Sequence, residues 1–251
     1  MPSEIRVYGL DGIPEVTPGM DVVGIIGDSL ATSGIELQER DVLVVTHKIV
    51  SKAEGQLIDL ATIEPSPFAT EWAARFEKDA RQVEVVLRES RRIVRMDRGV
   101  MITETRHGFI CANAGVDASN VAGDHVVCLL PIDPDASARR IHDGLRDRFG
   151  VAPAVIISDS FGRAWRKGIV NIAIGVAGMN PFADYRGMTD PYGYDLRVSV
   201  MAVADELAAT AELLAGKTEA RPVALIRGYD YPAGNGSASE LVMEPERDLF
   251  R

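Results

Sequence analysis

The sequence predicts a mixed α/β fold of the α+β class, in which irregular mixed sheets combine with helices. Strand-length apolar runs and segments with helical periodicity follow one another at uneven spacing, which does not fit a regular doubly wound sheet. The 251-residue chain shows no repeat of 20–50 residues and no low-complexity stretch. We therefore expect one unit over residues 1–251, or two subdomains without a clear boundary.

The first quarter of the chain predicts strand, loop, helix and strand in that order. Residues 5–9 alternate as in a strand, and the turn-rich residues 10–21 predict a structured loop. Residues 21–34 carry apolar positions at helical spacing. Residues 40–55 begin as a buried strand and continue past Thr46 into a polar segment with two lysines.

The next segments predict helices followed by a pair of strands. Residues 67–97 predict two short helices that are split near Asp79. Residues 99–117 predict a strand, a turn and a second strand.

The clearest helical pattern covers residues 133–150. Asp135 or Ser137 is the expected N-cap of this helix, because both side chains can accept a hydrogen bond from a free backbone N–H. Residues 151–160 then predict a buried strand that runs into Asp159.

The C-terminal part predicts a strand and a long alanine-rich helix within residues 196–222, followed by a final strand over residues 223–232. Asp205 and Glu206 fall in this helix. Acidic residues in the first turn of a helix interact favourably with the helix dipole. The alternative role of this pair is to ligate an additional metal ion.

Composition excludes several classes of protein. The net charge of −10 disfavours nonspecific binding to nucleic acid or to an anionic membrane, so a polyanionic substrate would need a local cationic patch or a divalent metal ion. No run of eighteen apolar residues predicts a membrane span, and the N-terminus lacks an export signal pattern. We expect a cytoplasmic protein with Cys111 and Cys128 as reduced thiols.

The segment VVTHKIVSKAEG places Lys48 and Lys52 four residues apart, directly after a strand. On a helix both ammonium groups would share one face. That face is either solvated or in contact with phosphate, since lysine, serine and glycine after a strand offer cations and hydrogen-bond donors together. The patterns of a P-loop and of a dinucleotide-binding loop are absent from the sequence.

The segment IISDSFGRAWRKG brings Asp159 and Ser160 to the end of a predicted strand, with three cations close behind. A carboxylate beside a hydroxyl suits a hard ion such as Mg²⁺ or Mn²⁺, and the alternative is a helix or turn cap.

The stretch CANAGVDASNVAGD offers Asp117, Asn120 and Asp124 among small residues. It is either a plain surface loop or a loop that holds a cation or a phosphate chain. Asp117 is a candidate for a second carboxylate beside a metal ion at Asp159. Glu104 and His107 are the candidate proton acceptors, although a lone histidine in a polar turn is more often simply hydrated.

Eight segments occur in an order that resembles the coenzyme F420-0:L-glutamate ligase family over nearly the whole chain. They are GIPEVTPGMD, VVTHKIVSKAEG, ITETRHGFICANAGVDASNV, LLPIDPDASA, ISDSFGRAWRKG, RGMTDPYGYDL, VADELAATAELLAGK and PVALIRG.

The resemblance implies a GTP-dependent ligase that joins L-glutamate to the terminal carboxylate of coenzyme F420-0 through an acyl phosphate. It implies two divalent ions, Mn²⁺ or Mg²⁺, with potassium as a stimulating cation, and an intertwined homodimer. Two alternatives stay open: a ligase of the same fold that uses another carboxylate acceptor, and a non-catalytic nucleotide-binding protein.

The resemblance also implies roles for individual residues. The metal-binding positions are Asp117, Asp159 and Ser160. The positions that contact GTP are Gly12, Ile13, Pro14, Glu15, His47, Lys52, Asn120, Gly216, Lys217 and Thr218.

The catalytic candidates are Asp117 and Asp159, together with Arg166 as a clamp on the transferred phosphate. Three positions depart from the family pattern: His47 replaces Ser or Thr, Ser160 replaces Thr, and Lys217 replaces a metal-binding Gln. A protonated lysine cannot ligate a metal ion, so we expect Lys217 to contact phosphate instead.

Overall fold

A five-stranded mixed sheet forms the centre of the computed structural model, which describes residues 4–121, 123 and 125–249. Within this sheet β2 and β8 are parallel, and every other neighbouring pair is antiparallel. The strands in spatial order are β1 (Arg6–Gly9), β12 (Val223–Arg227), β2 (Val42–Thr46), β8 (Ala154–Arg163) and β9 (Arg166–Ala177).

Three smaller antiparallel sheets surround this centre. They consist of β3 (Leu57–Asp59) with β7 (Val126–Cys128), β4 (Ser90–Asp97) with β5 (Val100–Thr105) and β6 (Ile110–Ala112), and β10 (Ala183–Asp184) with β11 (Val200–Met201). The irregular combination of sheets and helices confirms the predicted α+β class.

Helices cover both faces of the central sheet and pack on the smaller sheets. They are α1 (Val22–Thr32), α2 (His47–Ala53), α3 (Pro67–Phe76), α4 (Ala80–Glu89), α5 (Pro134–Phe149) and α6 (Val203–Ala215). None of the helices in the described ranges is long and apolar enough to cross a bilayer.

The N-cap prediction for α5 was wrong by a few residues. Asp133 caps this helix by accepting from Ala136 N at 2.9 Å. The predicted cap Asp135 lies inside the first turn, where its carboxylate accepts instead from the backbone N–H groups of Val176 and Ala238. A long-range pairing thus replaces the expected local one.

The split of the predicted helical segment 67–97 at Asp79 is confirmed, because the Asp79 side chain caps α4. The last part of that segment is not helical: residues 90–97 form β4 and pair with β5 through two register shifts. Pairing in a hairpin with the next strand, β5, outweighs local helix propensity there. The strand predicted to end at Asp159 also continues, and β8 runs on to Arg163 as one arm of a hairpin with β9.

The consecutive apolar residues of β2 face two different cores. Leu43 and Val45 belong to the cluster that includes residues of α1 and α5, whereas Val42 and Val44 belong to the cluster that includes residues of α6. Because both faces of the strand are buried, its sequence is a nearly continuous run of apolar residues. A third cluster packs α3 and α4 against β5 and β7.

A buried ion pair joins β12 to the residue that precedes β2. The Asp41 side chain is 1% exposed and accepts from Arg227 Nε at 2.8 Å and from Arg227 Nη2 at 2.7 Å. The same carboxylate accepts from Gln38 N, and Arg227 also donates to Glu36 O. Hydrogen bonding to Asp41 raises the pKa of Arg227.

Replacing Arg227 with methionine should lower the free energy of unfolding by about 3 kcal/mol, because the buried Asp41 carboxylate would lose its cationic partner. Chemical unfolding followed by circular dichroism measures the change. Arg6→Met is the matched control, since Arg6 lies directly opposite Arg227 across the strands but pairs with Glu4 in an exposed position. Equal losses in both variants would rule out the buried pair as the cause.

Candidate functional site

The junction of β2 and α2 lies beside the middle of β8. Strand β2 ends at Thr46, which is in register with Ser158 of the parallel strand β8, and α2 begins at once with His47. This register places Asp159 next to His47, with 3.3 Å between Asp159 Oδ1 and His47 Nε2. Two residues that are remote in sequence therefore meet because two parallel strands pair.

Asp159 is partly shielded from solvent and is held by the backbone. Its side chain is 16% exposed, and Oδ1 also accepts from Ser160 N at 2.7 Å. Across the hairpin Asp159 lies directly opposite Ile172. The residue therefore stands mid-strand and caps no helix, which removes the helix-cap alternative.

Asp117 makes contact with the next residue of α2. Lys48 Nζ lies 2.7 Å from Asp117 Oδ2 and also donates to the carbonyl and hydroxyl oxygens of Ser119. The backbone of Asp117 pairs with that of Cys128 as an isolated bridge. Burial raises the pKa of Asp117, but hydrogen bonds from Lys48 and Ser119 outweigh this effect, and the pKa lies below its usual value.

The two aspartates are thus both tied to the first turn of α2, Asp159 through His47 and Asp117 through Lys48. Among the described residues no group of three or more His, Cys, Asp or Glu side chains is arranged to hold a metal ion. A Mg²⁺-type site does not require such a group, because one or two carboxylates plus substrate phosphates commonly suffice.

The predicted N-terminal nucleotide loop reaches the other end of α2. Lys52 Nζ lies 2.5 Å from Glu15 Oε1. In the same loop Gly12 has a φ of 76°, a left-handed conformation that favours glycine, and Ile13 packs against the core. Pro14 lies between Ile13 and Glu15 in this loop. The structure therefore brings residues 12–15 together with Lys52.

Ser160 belongs to a separate network of side chains. Its hydroxyl donates to Asn171 Oδ1 at 2.6 Å and accepts from Lys217 Nζ at 2.5 Å. Asn171 Nδ2 donates to Glu212 Oε2 at 2.8 Å, and Glu212 Oε1 lies 3.3 Å from Lys217 Nζ. Four side chains therefore close a ring in which the lysine charge is balanced by one carboxylate.

The remaining predicted nucleotide contacts lie in exposed turns. Asn120 has a φ of 55° and follows Ser119, the residue that Lys48 contacts. Gly216 ends α6, and the Thr218 hydroxyl lies 3.3 Å from Glu219 Oε1. The predicted oxygen donor Asp124 lies outside the described residues.

Arg166 is not brought to Asp159 within one chain. It is exposed near the tip of the β8–β9 hairpin, opposite Arg163 and next to Trp165, which is 84% exposed. Arg163 follows Asp159 by four positions along β8, a separation of about 13 Å. The catalytic role of Arg166 stays a prediction.

The two candidate proton acceptors have other partners. Glu104 is buried and accepts from Arg92 at 2.6 Å, while Arg91 lies 3.5 Å away. His107 Nε2 faces the carbonyl oxygens of Pro131 and Ile132. The proton-acceptor role of these two residues stays a prediction.

A cavity of about 440 Å³ lies close to Asp159. Phe109, Phe161 and Ile172 line it, and Ile172 is the direct cross-strand neighbour of Asp159. Residues of the C-terminal segment 241–249 form another part of its wall. The candidate site therefore consists of the polar side chains around Asp159 and a neighbouring apolar cavity.

Sequence reasoning missed Asn171, Glu212 and Ser119. Asn171 lies opposite Ser160 in the hairpin, so a correct hairpin register would have found it. Glu212 reaches Ser160 only through Asn171 and Lys217, and no local pattern indicates that contact.

Comparison with known proteins gives one consistent result. A family model described as F420-0:Gamma-glutamyl ligase matches residues 12–228. The chain is 44% identical to the coenzyme F420:L-glutamate ligase of Methanothermobacter thermautotrophicus, over 98% of this chain and 99% of that protein. It is 46% identical to the protein of the same name from Methanopyrus kandleri, over 94% of each chain. A third protein of that name, from Methanocaldococcus jannaschii, is 42% identical over 86% of each chain.

Replacing Lys48 with methionine should raise the pKa of Asp117, because burial would then act without the opposing ammonium group. In the native chain the lowered pKa means that ionised Asp117 stabilises the fold above its unfolded-state pKa. This stabilisation is lost as the pH falls through the folded-state pKa. A carbon-13 NMR titration of the Asp117 carboxyl group measures the shift.

Lys52→Met is the matched control, since Lys52 lies on the same helix but pairs with Glu15. The pKa of Asp117 should stay unchanged in that variant. An unchanged pKa in Lys48→Met would contradict the assignment of Lys48 as the principal partner.

Proposed function

The chain belongs to the F420-0:gamma-glutamyl ligase family, and from this premise we propose that it is a GTP-dependent ligase that joins L-glutamate to the carboxylate of coenzyme F420-0. The family and the relatives support a coenzyme F420:L-glutamate ligase in F420 biosynthesis. The use of GTP, the acyl phosphate and the metal ions are the parts that we add as a proposal.

The proposed reaction has two transfers. A free carboxylate does not accept an amine at neutral pH, so an oxygen of the acceptor carboxylate first bonds to the γ-phosphorus of GTP. The bond from that phosphorus to the β–γ bridging oxygen breaks, and GDP leaves. The glutamate nitrogen then bonds to the acyl carbon, the carbon–oxygen bond to phosphate breaks, and the amine loses a proton to solvent.

The observation that carries the proposal is the meeting of Asp159 and Asp117 with the first turn of α2. Their hard oxygen donors fit a divalent ion whose remaining ligands are oxygens of the substrate phosphates. A divalent ion bound there supplies positive charge against the phosphates during transfer.

Lysines supply the remaining positive charge on an otherwise acidic chain. Lys48 and Lys52 lie at the two ends of α2, and Lys217 lies at Ser160. Each is paired with a carboxylate, which holds its ammonium group in a fixed place. We propose that these groups bind the phosphates of GTP, a role for which a lysine acts as a point charge.

The residues around Ser160 fit an ammonium group better than a metal ion. Lys217 already donates to the Ser160 oxygen, and Glu212 is the carboxylate that balances it. The site for a divalent ion in this proposal is therefore the aspartate pair, and the expected second ion, the potassium ion and the homodimer stay predictions.

The cavity beside Asp159 offers room for part of an organic substrate. It lies on the side of Ile172 and Phe161, and its walls are largely apolar. Small-molecule sites are typically concave and apolar with a few polar groups. We propose that the acceptor or the glutamate side chain enters the site along this cavity.

Incubation of the protein with GTP, Mn²⁺, L-glutamate and F420-0 tests the proposal. Release of GDP and a product heavier by one or more glutamyl residues, detected by mass spectrometry, is the expected result. GTP turnover without glutamylation of F420-0 would favour a ligase for another acceptor. Absence of turnover with any acceptor would favour a binding protein.

Replacing Asp159 with asparagine should reduce the rate of glutamylation by about 100-fold or more, because one charged oxygen ligand of the proposed ion is lost. Steady-state rates at saturating GTP measure the effect. Asp97→Asn, which removes an exposed carboxylate of β4, is the control and should keep the wild-type rate. Equal rates for Asp159→Asn and wild type would disprove the role of Asp159.

Replacing Lys217 with methionine should weaken GTP binding by about tenfold, which corresponds to roughly 1.4 kcal/mol for a lost charge-assisted hydrogen bond. Isothermal titration with GTP and Mg²⁺ measures the affinity. Lys78→Met removes a lysine of the α3–α4 connection and should bind GTP like the wild type. Unchanged affinity in Lys217→Met would exclude a phosphate contact by this residue.

A further inference from the structure

The C-terminal segment 241–249 forms one wall of the apolar cavity that lies beside Asp159. The apolar side chains that it contributes to this wall are Leu241, Val242, Met243 and Leu249. The family match ends at residue 228, so membership of the family assigns no role to this segment. A surface segment that closes a cavity next to the proposed reaction centre is well placed to select the substrate.

The chain is fixed to the central sheet where the segment begins. Ala238 is completely buried, and its backbone N–H donates to Asp135 at 2.8 Å. Asp135 also accepts from Val176 of β9, so one carboxylate ties this part of the chain to the edge of the sheet. Val242 packs against the core and lies against Gly108, where an added Cβ would be 3.4 Å from Val242 Cγ1. The wall therefore has a defined position up to residue 242.

The rest of the segment carries exposed apolar side chains. Met243 is 54% exposed and Leu249 is 90% exposed, although both line the cavity. A turn joins them, in which the backbone N–H groups of Arg247 and Asp248 donate to Glu244 O. Covering exposed apolar surface with an apolar ligand is favourable. A ligand that fills the cavity would therefore gain by burying these two side chains.

The charged groups of the cavity disfavour a small acidic ligand. Among the described residues that line it, Arg247 is the one basic residue, whereas Asp205 and Asp248 are acidic. Asp205 Oδ1 accepts from Ala173 N at 2.9 Å, which fixes that carboxylate in the wall. The side chain of L-glutamate ends in a carboxylate, so it would meet like charge and apolar walls. The cavity therefore fits glutamate poorly.

The guanine base of GTP is a flat ligand that competes for the same assignment. Within the described part of the chain, the cavity lining includes none of the predicted nucleotide contacts. The predicted loop 12–15 meets Lys52 in the last turn of α2, and residues 216–218 follow α6. The cavity is lined instead by residues of β6, β8, β9 and the C-terminal segment. In the proposed function it is therefore left for the acceptor.

The size, walls and position of the cavity suit a flat aromatic ligand. Its volume of about 440 Å³ lies within the range of about 300–1,000 Å³ that is typical of small-molecule sites. Phe109 and Phe161 meet edge to face with ring centroids 6.2 Å apart and present aromatic surface to it. Ile172 joins the cavity to Asp159, so an acceptor bound there extends toward the proposed reaction centre.

We propose that this cavity binds the flat deazaflavin ring system of coenzyme F420-0, and that the C-terminal segment 241–249 covers the bound ring and selects the acceptor. The inference rests on the proposed function and narrows it, because it assigns the cavity to the acceptor and not to glutamate. Met243 and Leu249 are the side chains that contact the ring from the outer wall.

Methyl NMR of the full chain labelled with carbon-13 methionine tests this inference. The chain has eight methionines, and among the described residues Met243 is the one that lines the cavity. Addition of F420-0 should shift the Met243 methyl signal, because the bound ring produces a ring current. Met188 is the matched control, since it is equally exposed but lies in the connection between β10 and β11, and its signal should stay in place. Loss of one signal in Met243→Leu assigns it.

Two further additions decide between the ligands. L-glutamate alone, and GTP with Mg²⁺, should leave the Met243 signal unchanged. A shift of this signal with either of them, or no shift with F420-0, would overturn the inference. All of these results are read from the wild-type chain.

Replacing Met243 with aspartate should weaken the binding of F420-0 by about tenfold, because a charged group would replace an apolar contact with the ring. The fluorescence anisotropy of F420-0, whose ring is fluorescent, measures this affinity. The affinity for GTP should stay the same. Met188→Asp should bind F420-0 like the wild type, and an unchanged affinity in Met243→Asp would refute the role of the segment.

The binding measurements and the ligase assay fail independently. F420-0 that binds at Met243 without being glutamylated would reject the proposed function and keep the assignment of the cavity. Glutamylation of F420-0 without a shift at Met243 would keep the function and reject the assignment.

Discussion

The parallel pairing of β2 with β8 is the constraint on which the candidate site depends. It aligns Thr46 with Ser158, so the first residue of α2 and the next residue of β8 become neighbours. Both strands are buried on both faces between packed helices, and a shift of one residue would exchange those faces. The core therefore fixes the position of His47 relative to Asp159.

Helix α2 is short, yet it carries most of the charge contacts of the site. Its first turn reaches Asp159 and Asp117, and its last turn reaches Glu15. Because the helix follows β2 without a connecting loop, the rigidity of the central sheet extends to these side chains. Charged groups that are already oriented lose less entropy when an anionic substrate binds, which favours electrostatic stabilisation of a transferred phosphate.

Carboxylates also cover the outer edge of the central sheet at β9. Strand β9 is an edge strand, and its backbone N–H groups at Ala173 and Val176 donate to Asp205 and Asp135. Burial raises the pKa of Asp205, while the hydrogen bond from Ala173 acts against it. The Asp205–Glu206 pair lies in the first turn of α6, as expected for the helix-dipole interpretation. Covering edge N–H groups in this way hinders pairing with another strand.

The sequence by itself determined the class of fold, the buried strand β2, the helix α5 and the positions of the acidic and basic residues along the chain, because these follow from local periodicity and composition. The ordered motifs also led to the correct family. Only the tertiary structure decided that residues 90–97 form a strand, that Lys217 binds Ser160 and that His47 faces Asp159. The strand at 90–97 depends on its hairpin with β5. The contact between His47 and Asp159 depends instead on the register of β2 against β8, two segments far apart in the chain, and burial of both sheet faces sets that register.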